Sequence, residues 1–296
     1  MKPTSNKVLL ALSGGVDSSV SVHLLEEQGY EVEAVVLDFS PCHKTAVAAA
    51  KISAESLGVK LHIVSCHEQF KENVIKPFAQ WYLEGKTPNP CIFCNPTTKF
   101  QLVLEKAEEL GFDHIATGHY AKIEHTDNGH FLRKAEYLPK DQSYMLYRLS
   151  QKQLAKLILP LQSYSKDIIR KIAEDMKLPC ASAPDSQEIC FVADNDYAAY
   201  IENNFGKSKK GMFISPDGKE ISPHNGILHY TVGQRKGLGI SLGYPVFIKS
   251  IDKDNGNIYL GRKGEESRQE IIIEDCKFMP FEFINKPFEA TAKIRY

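Results

Sequence analysis

Apolar runs and segments of helical period alternate along the first third of the chain. Val8 to Leu12 is an uninterrupted apolar run and predicts a buried strand. Val16, Val20, Leu24 and Leu25 then recur at helical spacing, and Gly29 ends that helix. Glu31 to Asp38, rich in valine, predicts a second strand. A helix follows over Ala46 to Leu57, supported by its alanines and by Val47 and Ile52, and stops at Gly58. Val59 to Val64 reads as a third strand, and Phe70 to Leu83 as a helix interrupted only by Pro77. A loop, Glu84 to Pro96, precedes a helix from Lys99 to Leu110 that Gly111 closes; His114 to Thr117 is a short fourth strand. Strands and helices alternating at this spacing predict an α/β fold with a doubly wound parallel sheet. Ligands on such sheets sit at the carboxyl ends of the strands. The Ser-Gly-Gly turn after the first strand, Leu37-Asp38 and Gly118-His119 should all lie there.

From Asp141 to Met176 the pattern stays helical but no longer alternates with strands; Gln151 to Leu157 and Lys166 to Met176 carry the apolar residues. Lys156, Lys166, Arg170, Lys171 and Lys177 occupy the other face, either as a solvated helix surface or as a seat for a polyanion. Past residue 205 glycine, proline and β-branched residues become frequent. Gly211 to Ile221 reads as a hairpin turning at Asp217-Gly218, and short strands follow at Tyr244 to Ile251, Asn257 to Leu260, Glu270 to Phe278 and Ala290 to Tyr296. The expected division is a nucleotide-binding catalytic domain with a helical extension over 1–204, a β-rich domain over 205–268, and over 269–296 the start of a barrel. A final strand running into the C-terminus without a partner suggests that this barrel is cut short.

Composition narrows the class only slightly. At 296 residues, 43% hydrophobic and 25% charged, the chain is ordinary globular material with room for two domains or more. No run approaches the length of a membrane span, and Met1 to Asn6 lacks the apolar region of a secretion signal, so no membrane partner and a cytoplasmic location are expected. A net charge of −1 leaves nucleic acid open, because a local patch rather than a total binds phosphate. Seven cysteines without a short disulfide spacing favour free, catalytic or metal-bound thiols.

The first turn, Ser13-Gly14-Gly15-Val16-Asp17-Ser18-Ser19, carries the clearest chemistry. Gly14 and Gly15 permit backbone angles that let amides approach a ligand closely. Asp17 or Ser18 is positioned to cap a helix whose first turn has unpaired N–H groups and a partial positive charge. Strand, glycine turn and helix start together make a phosphate site. It is not a Walker loop: Gly85-Lys86-Thr87 and Gly206-Lys207-Ser208 lack the required earlier glycine. Nor is it a dinucleotide fingerprint, because Gly243 falls one place late after Gly237-x-Gly239.

The second informative stretch is Thr87-Pro-Asn-Pro-Cys91-Ile-Phe-Cys94-Asn95, a proline-stiffened segment presenting two thiols; Cys190 stands in another polar segment far along the chain. Half of a zinc site, with Cys180 and Cys190 as a weak second half, is one reading. Buried inert thiols are another, suited to Cys66 and Cys276 but not to Cys91 and Cys94. Redox or sulfur-transfer chemistry, which needs thiolates near positive charge, is the third. Cys42-His43 reads as a loop bystander rather than an extra ligand pair.

The Ser-Gly-Gly-x-Asp-Ser hexad resembles the pyrophosphate loop (PP-loop) of the ATP pyrophosphatases. Six blocks in order, at 13–19, 87–95, 116–120, 140–144, 186–191 and 233–240, resemble within that superfamily the tRNA-specific 2-thiouridylases. The resemblance implies that Ala11, Leu12, Ser13, Gly14, Gly15, Val16, Asp17, Ser18, Leu37 and Gly118 bind ATP, with Mg²⁺ on the pyrophosphate. It implies that Asn89, Pro90 and Cys91 lie against the target base, that Lys140, Asp141, Gln142, Arg295 and Tyr296 touch tRNA, and that His119 stands beside the adenylation site. Cys190 would carry a persulfide received from a sulfur-donor protein or sulfide. Cys94 would resolve it, leaving a Cys94–Cys190 disulfide to be reduced.

The implied reaction is ATP-dependent adenylation of the C2 oxygen of the wobble uridine in the anticodon arm, followed by replacement of that oxygen with sulfur. One departure matters: many members hold Asp where this chain has Cys91. The trio Cys91, Cys94 and Cys190 also resembles enzymes in which three cysteines hold a [4Fe–4S] cluster, and persulfide relay and cluster stay open at this point. Two other readings compete, a different adenylating amidotransferase or ligase and a non-catalytic iron–sulfur or tRNA-binding protein.

Overall fold

The computed structural model describes residues 6–184, 189–192, 196–265, 270–281 and 283–292. Five strands, β1 (Lys7–Ala11), β2 (Glu31–Asp38), β3 (Leu61–Ser65), β4 (His114–Thr117) and a two-residue strand (Leu157–Ile158), form one sheet in the order β3-β2-β1-β4 and then that last strand. Every pairing in it is parallel, as the alternation of strands and helices predicts. Strand residues alternate between the two faces, and both faces are covered. Val8, Leu10, Ala34, Val36 and Ala116 face α1 (Val16–Glu27) and α2 (Lys44–Leu57). Leu9, Val35, Leu37 and Ile115 face the helix that ends at Leu110. Gly58 and Gly111 close two of these helices in the left-handed conformation, at φ 69° and 75°.

Two helical segments differ from the sequence expectation for one reason, proline inside a helix. Residues 67–83 run as α3 (His67–Phe70), a wide π turn (Lys71–Ile75) and α4 (Lys76–Leu83), with Pro77 at the start of α4. The stretch 84–96, expected as a loop, contains α5 (Pro90–Cys94), then a second π turn (Asn95–Lys99) holding Pro96, then α6 (Phe100–Leu110). A proline removes a helical donor and crowds the preceding turn, and a widened turn accommodates it without ending the helix. Cys94 therefore stands on a helix, not in a loop.

Beyond β4, a hairpin of β5 (Lys122–Thr126) and β6 (Gly129–Arg133) was not foreseen. Nor was β7 (Leu157–Ile158), which follows α7 (Gln151–Lys156) and returns the helical extension to the main sheet beside β4. Then come α8 (Lys166–Asp175) and α9 (Tyr197–Asn204). A separate four-stranded sheet, ordered β10-β11-β8-β9, contains β8 (Met212–Ile214), β9 (Glu220–Pro223), β10 (Val246–Ile251) and β11 (Ile258–Arg262). The expected turn at Asp217-Gly218 joins β8 to β9, with Gly218 at φ 82°. No strand forms over 270–278, where Ile271, Ile272 and Ile273 are 54, 88 and 68% exposed; the described residues offer them no neighbouring strand to complete a ladder. Residues 290–292 are likewise irregular, and Arg295 and Tyr296, like Met1 to Ser5 and the block 185–188, lie outside the described residues.

Candidate active site

The turn after β1 is held in shape before any ligand arrives. Gly14 sits at φ 79°, and a β-carbon there would lie 2.5 Å from the Ala49 carbonyl carbon and 2.6 Å from the Ala50 nitrogen, so α2 packs against a position that only glycine fits. Ser53 Oγ donates to the Gly14 carbonyl (3.4 Å). Ser18 Oγ donates to the Gly15 carbonyl (3.1 Å), receives the Ser13 N–H (3.2 Å) and lies 3.1 Å from Ser13 Oγ. The N-cap is Gly15, without a side-chain bond, rather than Asp17 or Ser18 as expected from the sequence. Ser18 instead ties the turn to itself, leaving the amides of the first helical turn for a ligand.

Across the edge, Gly118 closes on the same turn: a β-carbon there would lie 2.8 Å from the Asp17 carbonyl carbon and from the Ser18 nitrogen. Leu37, at the end of β2, is buried. Asp17 Oδ1 accepts from both the Tyr120 hydroxyl and Lys166 Nζ, each at 2.7 Å. His119 Nδ1 lies 2.8 Å from Thr117 Oγ1, and its ring stacks at a tilt on Phe100. Burial, reinforced by the Lys99 ammonium, holds the His119 imidazole well below its ordinary range, so it is neutral at pH 7.

The thiols are drawn together by packing. Cys94 is buried in one core cluster with Phe70, Phe78, Phe191 and Leu228. Phe191 sits edge-on to Phe70 and Phe78, at 5.5 and 5.2 Å between ring centres, and so anchors Cys190 beside α5. Burial, against the opposing Lys99 ammonium and a Lys99 backbone hydrogen bond and with smaller contributions from Cys190 and Cys91, pushes the Cys94 thiol up to about 12. Part of Cys190 reaches solvent, yet protein around its sulfur, with Cys91 beside it, pushes that thiol up to about 11, again against Lys99. Cys190, Cys91 and Lys99 all act on Cys94, Cys91 and Lys99 act on Cys190, and Lys99 also acts on His119, so these groups lie within electrostatic reach of one another. All seven cysteines are free thiols.

Among the described residues no group of three or more Cys, His, Asp or Glu is arranged to hold a metal ion. Cys180, buried against α8, does not complete a zinc site with Cys91 and Cys94. Mg²⁺ asks less of the protein, since it takes its oxygens largely from phosphates and water. Cys66 is buried as expected, its thiol pushed up to about 12 by burial and by Asp38. Cys276 is exposed, against expectation, because its segment packs under no strand. Cys42 is exposed on a short 3₁₀ turn beside buried His43.

The described residues expected to meet the base and tRNA are held by local structure. Asn89 caps α5, its Oδ1 accepting the Cys91 N–H at 3.0 Å, with Pro90 in the first helical position. Asp141 receives the Ala135 and Ser143 N–H groups and the Ser143 hydroxyl. Gln142 exchanges two bonds with the Tyr120 backbone, at 2.8 and 2.9 Å. The basic residues of α7 and α8 are largely spoken for: Lys166 is buried on Asp17, Arg170 donates to the Ala181 and Ala183 carbonyls, and Lys156 pairs with Glu108. Tyr120, Lys166 and Lys99 escaped the sequence reading. Tyr120 closes the 116–120 block and Lys99 follows the 87–95 block, but Lys166 looked like one surface lysine among many.

A parallel sheet with a Ser/Gly phosphate turn at its first βα junction, and thiols gathered nearby, defines a nucleotide-binding protein of the PP-loop class. Residues 6–194 match the family described as "tRNA methyl transferase HUP domain", and residues 198–262 match "tRNA methyl transferase PRC-barrel domain". The tRNA-specific 2-thiouridylase MnmA 2 of Clostridium botulinum (strain Hall) is 44% identical over 98% of this chain and 84% of its own length. The tRNA-specific 2-thiouridylase MnmA of Clostridioides difficile is 42% identical over 99% and 85%. The chain belongs to the tRNA-specific 2-thiouridylase family. Among solved structures, a 4-thiouridine synthetase in complex with RNA and ATP aligns at 18% identity and a TM-score of 0.44, over 67% of this chain and 50% of that one. No helix among the described residues is long and apolar enough to cross a membrane.

Proposed function

We propose that this chain is an ATP-dependent tRNA uridine 2-sulfurtransferase working through a persulfide relay at the wobble position. What supports the relay is that Cys94 packs in one core cluster with Phe191, the neighbour of Cys190, and that Cys190 and Lys99 both act electrostatically on Cys94. The residues 11–18, with Leu37 and Gly118, hold ATP. The uridine C2 oxygen attacks the α-phosphate, pyrophosphate leaves, and a poor leaving group becomes an adenylate. The terminal sulfur of a Cys190 persulfide attacks C2 and AMP departs. The Cys94 thiolate then attacks the Cys190 sulfur of the C2–S–S–Cys190 adduct, releasing 2-thiouridine and leaving a Cys94–Cys190 disulfide. A two-electron reductant restores both thiols, and a donor protein's persulfide or sulfide with an oxidant reloads Cys190.

Lys99 supplies the positive charge that thiolate chemistry needs in a site where burial otherwise keeps both sulfurs protonated. Asn89, Pro90 and Cys91 border the uridine, which has to be splayed from its loop to enter. Lys140, Asp141 and Gln142 face tRNA, and the cytoplasm is the compartment in which these thiols stay reduced between turnovers. The test is mass spectrometry of unmodified tRNA after incubation with the protein, ATP, Mg²⁺, a persulfide donor and a thiol reductant. Exchange of one oxygen for sulfur at the wobble uridine is expected; unchanged tRNA would reject the reading. Iron and sulfide analysis after anaerobic purification tests the relay separately, since a fully active, iron-free protein is what it requires.

A further inference from the structure

Asp17 lies in the first turn of α1, inside the phosphate loop, yet one of its carboxylate oxygens is already taken by two donors. The Tyr120 hydroxyl and Lys166 Nζ both reach Oδ1 at 2.7 Å. Tyr120 is 1% exposed and the Lys166 side chain 11% exposed, so neither bond is one of the solvated surface pairs that contribute little. The two donors arrive from different directions. Lys166 opens α8, whose Ile169 and Ala173 pack against Val16, Val20 and Leu24 of α1 in the same cluster as the Tyr120 ring. Tyr120 follows β4, and its backbone is paired twice with Gln142, N–H to Oε1 at 2.9 Å and carbonyl to the Gln142 N–H at 2.8 Å. Gln142 adjoins Asp141, which fixes its own turn through Ala135 and Ser143.

A continuous chain of hydrogen bonds therefore runs from segment 140–142 through Tyr120 to Asp17, and Lys166 clamps its far end. We propose that Tyr120 and Lys166 are positioning residues that make nucleotide affinity depend on tRNA docking. The inference rests on the reading above in which segment 140–142 meets tRNA and residues 11–18 meet ATP. Tyr120 touches neither ligand directly. When tRNA fixes Gln142, the tyrosine backbone and then its hydroxyl are fixed, and the first turn of α1 is held in the conformation that receives phosphate. The device works in both directions, because coupling between two binding sites is reciprocal.

The experiment measures binding of an ATP analogue whose α,β-bridging oxygen is replaced by methylene, so that no adenylation occurs, with and without saturating unmodified tRNA transcript. Wild-type protein should bind the analogue at least about fivefold more tightly with tRNA present, and should bind tRNA more tightly by the same factor when the analogue is present. Tyr120→Phe keeps the ring and its packing and removes one hydroxyl; it should cut that factor to below about twofold. Lys166→Met should do the same and Lys166→Arg should restore most of it, with thermal melting confirming that each variant is folded. A purely structural hydroxyl would weaken analogue binding equally with and without tRNA, and that result overturns the proposal. So does a wild-type protein that thiolates tRNA but shows no coupling. A wild-type protein that neither binds the analogue nor thiolates tRNA would instead remove the functional reading on which the proposal stands.

Discussion

The phosphate turn and the thiol cluster are built by opposite means. The turn is local: one short stretch, stiffened by Gly14 under α2 and by serine bonds between neighbours, with few degrees of freedom left to a ligand. The cluster is assembled from segments nearly a hundred residues apart, brought together by Phe191 against Phe70 and Phe78. The turn is preorganised for charge, since it opens a helix whose first-turn N–H groups lack intrahelical partners and receive no side-chain cap from Gly15. The cluster is not, because burial keeps its thiols protonated until a cation or ligand shifts the balance. A site that binds an abundant nucleotide gains from standing ready. A site that handles reactive sulfur gains from staying quiet until substrate arrives.

The sharpest break in the comparison comes from the cluster. Cys190→Ser removes the proposed sulfur carrier and should lower thiouridine formation on the order of a thousandfold or more. Pyrophosphate release on ATP and tRNA should continue, because adenylation does not use the thiols. Parallel loss of both activities would show that the two regions are not chemically separate. Gly14→Ala strikes the other side. A side chain at φ 79° that overlaps the backbone of α2 should cost at least about 2 kcal/mol of stability. ATP affinity should fall by about tenfold or more, equivalent to about 1.4 kcal/mol. Melting curves and nucleotide titration check both effects, and unaltered binding would contradict the preorganised turn.

The same contrast explains what was legible in the sequence. Regular βα alternation and the local glycine turn could be read directly, because short-range periodicity and backbone freedom produced them. Helix α5 could not, because Pro88, Pro90 and Pro96 look like loop residues until Asn89 caps the helix and a π turn absorbs Pro96. Strand β7 is only two residues long and is set by pairing with Ile115 and Ala116, a tertiary fact without a local signal. The expected strand over 270–278 failed for the converse reason: β-branched residues favour a ladder, but a ladder needs a partner. Lys166 was hidden among neighbours of like charge, since burial rather than residue type separates a clamp from a solvated lysine.

A smaller effect should follow from the cation shared by the thiols. Lys99→Met removes the charge that favours thiolate, so alkylation of Cys190 by iodoacetamide at pH 8 should slow several-fold. In the wild type the rate should climb with pH toward the Cys190 value of about 11. The stability consequence has a definite sign. Cys66 and Cys94 rise from 9.0 to about 12 on folding, so the unfolded chain loses its thiol protons first. Stability from this source is intact below pH 9 and declines as pH rises toward 12. Denaturant midpoints across that window, in wild type and in Cys66→Ala, should show the fall and its partial relief.

His119 tests whether neutrality extends from the thiols to the adenylation side. Its imidazole is uncharged at pH 7 because burial and Lys99 both oppose protonation, and Thr117 Oγ1 holds one ring nitrogen. A group acting as general acid or base near neutrality would contribute roughly 10²–10⁴-fold and place an inflection in the pH profile near its own pKa. A neutral hydrogen bond to the reacting oxygen contributes nearer 0.5–1.5 kcal/mol, roughly two- to twelvefold. The second role fits this environment. Pyrophosphate release by the wild type should therefore show no His119 inflection between pH 6 and 8, and His119→Gln should reduce it by roughly two- to twelvefold without changing the shape of the profile. A hundredfold loss, together with disappearance of an inflection near the ordinary imidazole pKa, would mean that substrate binding restores the proton that burial removes, and that the adenylation side is switched on by its ligand just as the thiols are.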